Sequence, residues 1–166
     1  VPYDPKGLTP IGMAAIGKRL AELTGAEWGM VSAGCAAAMS HATAACVAGG
    51  NPDLHVRIPN LEGFARDEVI IPTHSRNVYD AAIRAVGVKI IEVETPTELQ
   101  LAIGPKTAMI YIFANARNET GPLSTEAIAE IARPHNIPVL VDAAAEIVRV
   151  VPVIAGDSIT KRTARA

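Results

Sequence analysis

The sequence predicts an α/β protein built on a mostly parallel sheet. Short β-rich runs alternate with helical segments along the chain, the pattern of strand–helix–strand units. One run, Pro138-Val139-Leu140-Val141-Asp142, is continuously apolar before its last residue, as expected of a strand buried on both faces. Of the 166 residues 49% are apolar and 19% charged, which favours a packed core over disorder. Aromatic residues are only 4%, so that core must come from Ala, Ile, Val and Leu.

The elements follow in order. Thr9 can cap a helix with Pro10 at its first position, and Met13, Ile16, Leu20 and Leu23 then share one face, with Gly25 closing the segment. Trp28-Gly29-Met30-Val31 reads as a short strand, and Ser32-Ala33-Gly34 leads into an Ala-rich helix ending near Val47. Residues 49–66 hold two prolines, three glycines and two asparagines and read as a long connection. Val69-Ile70-Ile71 is a strand. A helix from about Asn77 to Val86 is expected to turn Val78, Ala81, Ala82 and Ala85 inward and Arg76, Asp80 and Arg84 outward. Lys89 to Val93 is a strand, and Thr95-Pro96-Thr97-Glu98 is a capping box opening a short helix. Ala108 to Phe113 is a strand. Ser124 caps a helix with Ala127, Ile128 and Ile131 on its inner face, and Asn136 takes the left-handed position before the last strand.

Charge and cysteine content narrow the function classes. Fifteen Lys+Arg against 17 Asp+Glu leave −2, and few aromatics accompany them, which speaks against a nucleic-acid binder. Residues 157–166 carry three basic groups and one acidic one, an irregular basic tail. Cys35 and Cys46 fall on one helix about 16 Å apart, beyond disulfide reach. The start has no basic n-region or apolar h-region. The uncharged stretch 30–50 is Ala-rich and interrupted by Ser, His, Thr and Gly, a buried helix rather than a membrane span. These features predict a cytoplasmic protein. Gly12 to Arg19 imitates a P-loop but ends in Arg19 where Ser or Thr would bind magnesium, and it lies inside a helix. There is no G-x-G-x-x-G, and the four histidines lack metal-ligand spacing.

The chemistry-bearing residues instead share a position. Ligands of open α/β sheets sit beyond the carboxyl ends of the strands. Four sets fall there: Ser32-Ala33-Gly34-Cys35, Thr73-His74-Ser75, Asn118 to Gly121, and Asp142. A small-residue loop entering a helix offers free N–H groups to a phosphate. A carboxylate ending a buried strand calls for a cationic partner. A histidine can stack on a flat ring. Phosphate, protonated ring nitrogen and planar ring together describe pyridoxal 5′-phosphate. Each feature also has a purely structural explanation: a tight helix start, a capping histidine, a strand-end cap.

The strings T-G-A-E-W-G-M-V-S-A-G-C-A-A-A (24–38), D-E-V-I-I-P-T-H-S-R-N-V-Y-D-A-A-I-R-A-V-G-V-K-I-I-E-V (67–93) and I-P-V-L-V-D-A-A-A-E (137–146) resemble the selenocysteine synthase-like family. These are fold-type I pyridoxal-phosphate enzymes, related to L-seryl-tRNA(Sec) selenium transferase and to sugar-amino-acid ammonia lyases. The resemblance covers about residues 7–147. It implies a three-layer fold, part of the large domain of such transferases, over residues 1–156. It also implies that Ser32, Gly34 and Cys35 line the phosphate site and that His74 lies against the ring. Asp142 would hold the pyridinium nitrogen, with Ala144 against the ring face. Asn118 would touch the ring hydroxyl, as in the N-P-T-G of aminotransferases, although Glu119 replaces the proline. An amino acid or amino-sugar acid substrate and a homo-oligomer follow from the same resemblance.

One departure stands out. The family's Schiff-base lysine lies in an S-G-G-K-like loop beyond the D-A-A-A-E strand, whereas here the only lysine after Asp142 is Lys161, between Thr160 and Arg162. Lys6, Lys18, Lys89 and Lys106 lie elsewhere in the pattern. The sequence therefore predicts a fragment of a pyridoxal-phosphate enzyme, shortened at both ends and inactive alone. The alternative is a non-catalytic α/β module that binds a partner chain or a nucleotide.

Overall fold

A computed structural model describes residues 10–116 and 118–144, so Thr9, Lys161 and the basic tail lie outside the described residues. Among the described residues four parallel strands make one sheet: β1 (Glu68–Pro72), β2 (Lys89–Val93), β3 (Thr107–Phe113) and β4 (Val139–Asp142), in the order β2-β1-β3-β4. Among the described residues six α-helices accompany it: α1 (Pro10–Thr24), α2 (Cys35–Ala48), α3 (Pro52–His55), α4 (Ala81–Arg84), α5 (Pro96–Ala102) and α6 (Thr125–Ala132). This is an α/β arrangement on a parallel sheet, as the strand–helix alternation predicts.

Side-chain alternation along the strands sends successive residues to opposite faces. Val69, Ile71, Met109, Tyr111, Phe113 and Leu140 face α2 and α4, packing with Met39, Val47, Ile83 and Val86. Ile70, Ile110, Ile112, Val93 and Val139 face α5 and α6, packing with Leu99, Ile128 and Ala132. The core is thus two apolar layers with the sheet between them. Asp142 falls on the α2 side because it is two residues from Leu140 and pairs with Phe113.

The local signals hold where capping chemistry sets them. Thr95 Oγ1 accepts from Glu98 N at 3.2 Å, and Glu98 Oε2 accepts from Glu94 N at 2.7 Å, one residue before the expected partner. Ser124 Oγ accepts from Ala127 N, and Asn136 adopts φ 52°. Cys35 and Cys46 are both free thiols on α2.

Several expectations fail for a common reason, tertiary context. Residues 28–31 pair with no strand among the described residues. They lie over α1 instead, where a Cβ on Gly29 would stand 2.2 Å from Leu20 Cβ and one on Gly17 2.5 Å from the Trp28 ring. That packing uses Gly17 and Leu20, so Ile16 and Leu23, expected inside, are 37% and 65% exposed. Residues 77–86 are not one helix but a 3-10 turn, Val78–Asp80, followed by the four-residue α4. The faces shift accordingly: Ile83 and Val86 are buried, Val78 is 78% exposed, and Asp80 is 1% exposed. Asp80 is tolerated inside because Arg76 Nε and Arg84 Nε reach its two oxygens at 2.6 and 2.8 Å. Finally, Val139, Leu140 and Val141 are half-buried, because β4 is an edge strand among the described residues.

Candidate functional site

The strand order places the direction reversal between β1 and β3, and α2 starts beside the carboxyl ends of β3 and β4. Gly34 precedes α2 with φ 94°, a left-handed conformation that favours glycine. Ser32 Oγ donates to Gly34 O at 2.9 Å, which fixes the loop entering the helix. The helical ladder begins with Ala38 N donating to Gly34 O, so the N–H groups of Cys35, Ala36 and Ala37 precede it. These groups and the helix dipole make this end suitable for an anion.

Facing that helix start is the Asp142 carboxylate, 4% exposed. Cys35 Sγ donates to its Oδ1 at 3.2 Å, Ala144 N donates to the same oxygen at 3.1 Å, and the Tyr111 hydroxyl donates to Oδ2 at 3.2 Å. All three donors are neutral, and Asp142 has no basic partner among the described residues. A cavity of about 440 Å³ opens against it, within the range of small-molecule sites, lined by Cys35, Ala36, Met39, Tyr79, Phe113, Asp142 and Ala144.

The electrostatics follow from this placement. Burial first, then the hydrogen bond and charge of Asp142, push the Cys35 thiol up to about 11. Burial also raises the Tyr111 hydroxyl well above its usual value; the Asn77 hydrogen bond opposes this and Asp142 adds to it. His74 lies on the 3-10 turn Thr73–Ser75 that follows β1. Partial desolvation lowers its imidazole below the usual value, and the Glu119 carboxylate acts in the opposite sense.

Of the residues singled out in the sequence, Cys35, Asp142 and Ala144 line one cavity. Ser32 and Gly34 lie on the loop feeding it, and His74 lies at the end of the neighbouring strand, outside the cavity lining. Asn118 begins the 3-10 turn Asn118–Thr120 after β3. Sequence reasoning missed Tyr111, Asn77, Tyr79, Met39 and Phe113. Tyr111 had a signal: a polar-tipped ring inside an apolar strand, two residues before Phe113 on the same face, needs a hydrogen-bond partner when buried. Among the described residues there is no cluster of His, Cys, Asp and Glu suited to a metal ion. None of their helices is long and apolar enough to cross a membrane.

Comparison with known proteins agrees with this architecture. No family model matches the chain. A D-glucosaminate-6-phosphate ammonia lyase of Salmonella typhimurium is 30% identical over 139 residues, 78% of this chain and 38% of that protein. A 5′-C-glycyluridine monooxygenase-decarboxylase of a Streptomyces species is 34% identical over 144 residues, 80% of this chain and 36% of the relative. The solved structure of a D-glucosaminate-6-phosphate ammonia-lyase superposes with TM-score 0.74 at 25% identity, over 86% of this chain and 40% of that one. A double mutant of Thermus thermophilus aspartate aminotransferase shares the fold, with TM-score 0.54 at 20% identity over 86% of this chain and 37% of that one. The chain thus spans less than two-fifths of the length of the curated relatives it matches. Together these relatives indicate a fold-type I pyridoxal-phosphate-dependent enzyme family.

Proposed function

We propose that this chain forms the cofactor-facing part of a pyridoxal-phosphate enzyme acting on an amino acid or amino-sugar acid. The observation that carries the reading is Asp142: a buried carboxylate held, among the described residues, by neutral donors, at the wall of a cavity beside a helix N-terminus. Asp142 would hold a protonated ring nitrogen as its cationic partner, and the start of α2 would hold the phosphate. The residues present therefore fit the group. When bound, pyridoxal phosphate supplies an electron sink for the bonds of an amino-acid α-carbon.

On this reading Asp142 keeps the ring nitrogen protonated, since a buried carboxylate stabilises a neighbouring cation. The N–H groups after Gly34 and the Ser32 loop bind phosphate oxygens. Cys35, now bonded to Asp142 Oδ1, would give up that bond to a ring nitrogen, and Ala144, being small, would leave room for the ring face. His74 and Asn118 complete the reading as the ring-stacking and ring-hydroxyl residues. The finer assignment within the family, a selenocysteine synthase-like or ammonia-lyase-like enzyme, is supported by the three sequence blocks and by the named lyase relative. The same reading carries a homo-oligomer, a cytoplasmic location, and a domain over residues 1–156 followed by a separate tail.

Catalysis additionally needs a lysine at the cofactor. Lys89 and Lys106 lie at the amino ends of the strands, paired with Glu68 and Asp67, and Lys18 is on α1. None of the three lines the carboxyl-end cavity. We therefore propose that this chain by itself binds the cofactor noncovalently and turns over no amino acid.

Titration with pyridoxal phosphate, wild type against Asp142→Asn, tests the site. Weaker binding by the variant supports it. Equal binding favours a partner-binding module, and protection by nucleotides favours a nucleotide site. Borohydride reduction followed by peptide mapping tests the second part: stoichiometric labelling of one lysine, Lys161 above all, would overturn it.

A further inference from the structure

One well-connected polar group near the cavity is singled out neither by the sequence blocks nor by the named relatives. Asn77 precedes the 3-10 turn Val78–Asp80 and uses both ends of its amide. Its Oδ1 accepts from Tyr79 N at 2.8 Å, and Tyr79 lines the cavity. Its Nδ2 donates to Ser75 O at 3.0 Å, the residue after His74, and to the Tyr111 hydroxyl at 3.4 Å. Tyr111, fully buried, donates a hydrogen bond from its hydroxyl to Asp142 Oδ2 at 3.2 Å. The other oxygen, Oδ1, is the one whose partners, Cys35 and Ala144, line the cavity.

We infer that Asn77 and Tyr111 are positioning residues that aim Asp142 at the ligand. The inference rests on the cofactor reading above. The donor sense runs one way, from Asn77 amide to Tyr111 hydroxyl to Asp142 carboxylate, so the rotation of the carboxylate is set by an anchor on β3. That anchor fixes Oδ2 away from the cavity and leaves Oδ1 presented to it. The same asparagine ties the backbone of the His74 turn and the Tyr79 wall to this chain of bonds. Three separate elements, the post-β1 turn, β3 and β4, are thereby held in one register around the space where a ring would lie. Without the Tyr111 bond only Oδ1 is held, by Cys35 and Ala144, and the carboxylate can turn further about its broad χ2 torsion. It would then bind a ring nitrogen with poor alignment, and hydrogen bonds weaken steeply with misalignment.

The test compares pyridoxal 5′-phosphate with its 1-deaza analogue, which lacks the ring nitrogen, using the full chain. Wild type should bind the parent cofactor about tenfold or more tightly, as expected of a hydrogen bond to a charged group. Tyr111→Phe keeps the packed ring and removes the anchor. Asn77→Asp keeps the cap on Tyr79 N and removes both donors. Both variants should lower the preference to about threefold or less while melting cooperatively. Thermal melts separate a folding defect from this effect, because loss of structure weakens both ligands alike. A preserved preference in both folded variants would overturn the positioning role and leave the cofactor site standing. Equal binding of the two ligands by wild type would overturn the cofactor reading, and this inference with it.

Discussion

Replacing Asp142 by Asn should make Cys35 a better nucleophile, and the size of the effect can be bounded from the structure. The thiol rises from 9.0 to about 11 for three reasons: burial, the hydrogen bond to Asp142 and the Asp142 charge, with burial the largest. Asp142 therefore accounts for at most about two-thirds of that rise, so the variant thiol falls but stays above its ordinary value. At pH 8 that ceiling corresponds to about 20-fold more thiolate. A thiolate of lower pKa is also a weaker nucleophile, with a Brønsted coefficient of about 0.4–0.5, so the reaction rate gains about fivefold at most. Cys35 is exposed, so water screens the carboxylate and the gain should lie below that ceiling. The assay is the pH dependence of reaction with an aromatic disulfide, mapping the mixed disulfide on Cys35 separately from Cys46. An unchanged or slower rate at Cys35 in a folded variant would refute the argument that Asp142 holds the thiol protonated. No ligand is involved, so the result speaks directly to the geometry of the Cys35–Asp142 contact.

Three further predictions concern stability. Burial raises the Asp80 carboxyl, but the hydrogen bonds and charges of Arg84 and Arg76 outweigh it and hold it below its usual value. Its contribution is thus fully present above the unfolded pKa of about 3.9 and disappears as pH falls through the lower folded value. Asp80→Asn should cost about 2 kcal/mol at pH 7 in chemical denaturation and flatten that acid limb. Gly87→Ala should destabilise by about 2 kcal/mol or more, because Gly87 sits at φ 95° and a Cβ would stand 2.1 Å from Pro59 O; a calorimetric melting temperature equal to wild type would contradict this. Ser124→Ala should cost about 1 kcal/mol through loss of the cap on Ala127 N, whereas Ser124→Asp, which restores an acceptor, should recover most of it.

Much of the fold was legible because its signals are local. The caps at Thr95 and Ser124, the left-handed Asn136 and the apolar runs of β1, β3 and β4 each need only a few neighbouring residues to act. The strand–helix alternation then leaves a parallel sheet as the arrangement that buries both sheet faces. The common edge of Cys35 and Asp142 follows as well, since carboxyl ends of parallel strands lie together. Residues 28–31 misled because β-propensity reports a half-buried pleated surface, and there the surface on offer was α1 rather than another strand.

What only the tertiary structure decided is which polar side chains meet. By itself the sequence determined the α/β class, the capped helix starts and the edge at which the site forms. It could not show that Asp80 turns inward, because its burial depends on two arginines closing over it, one of them also bound to Glu92 across the sheet end. Nor could it show that Tyr111 and Asn77, 34 residues apart, share a hydrogen bond and lead to Asp142, a further 31 residues on. Periodicity assigns a residue to a face. The partner across that face is set by strand register and helix packing, which arise only when the whole sheet closes against α2.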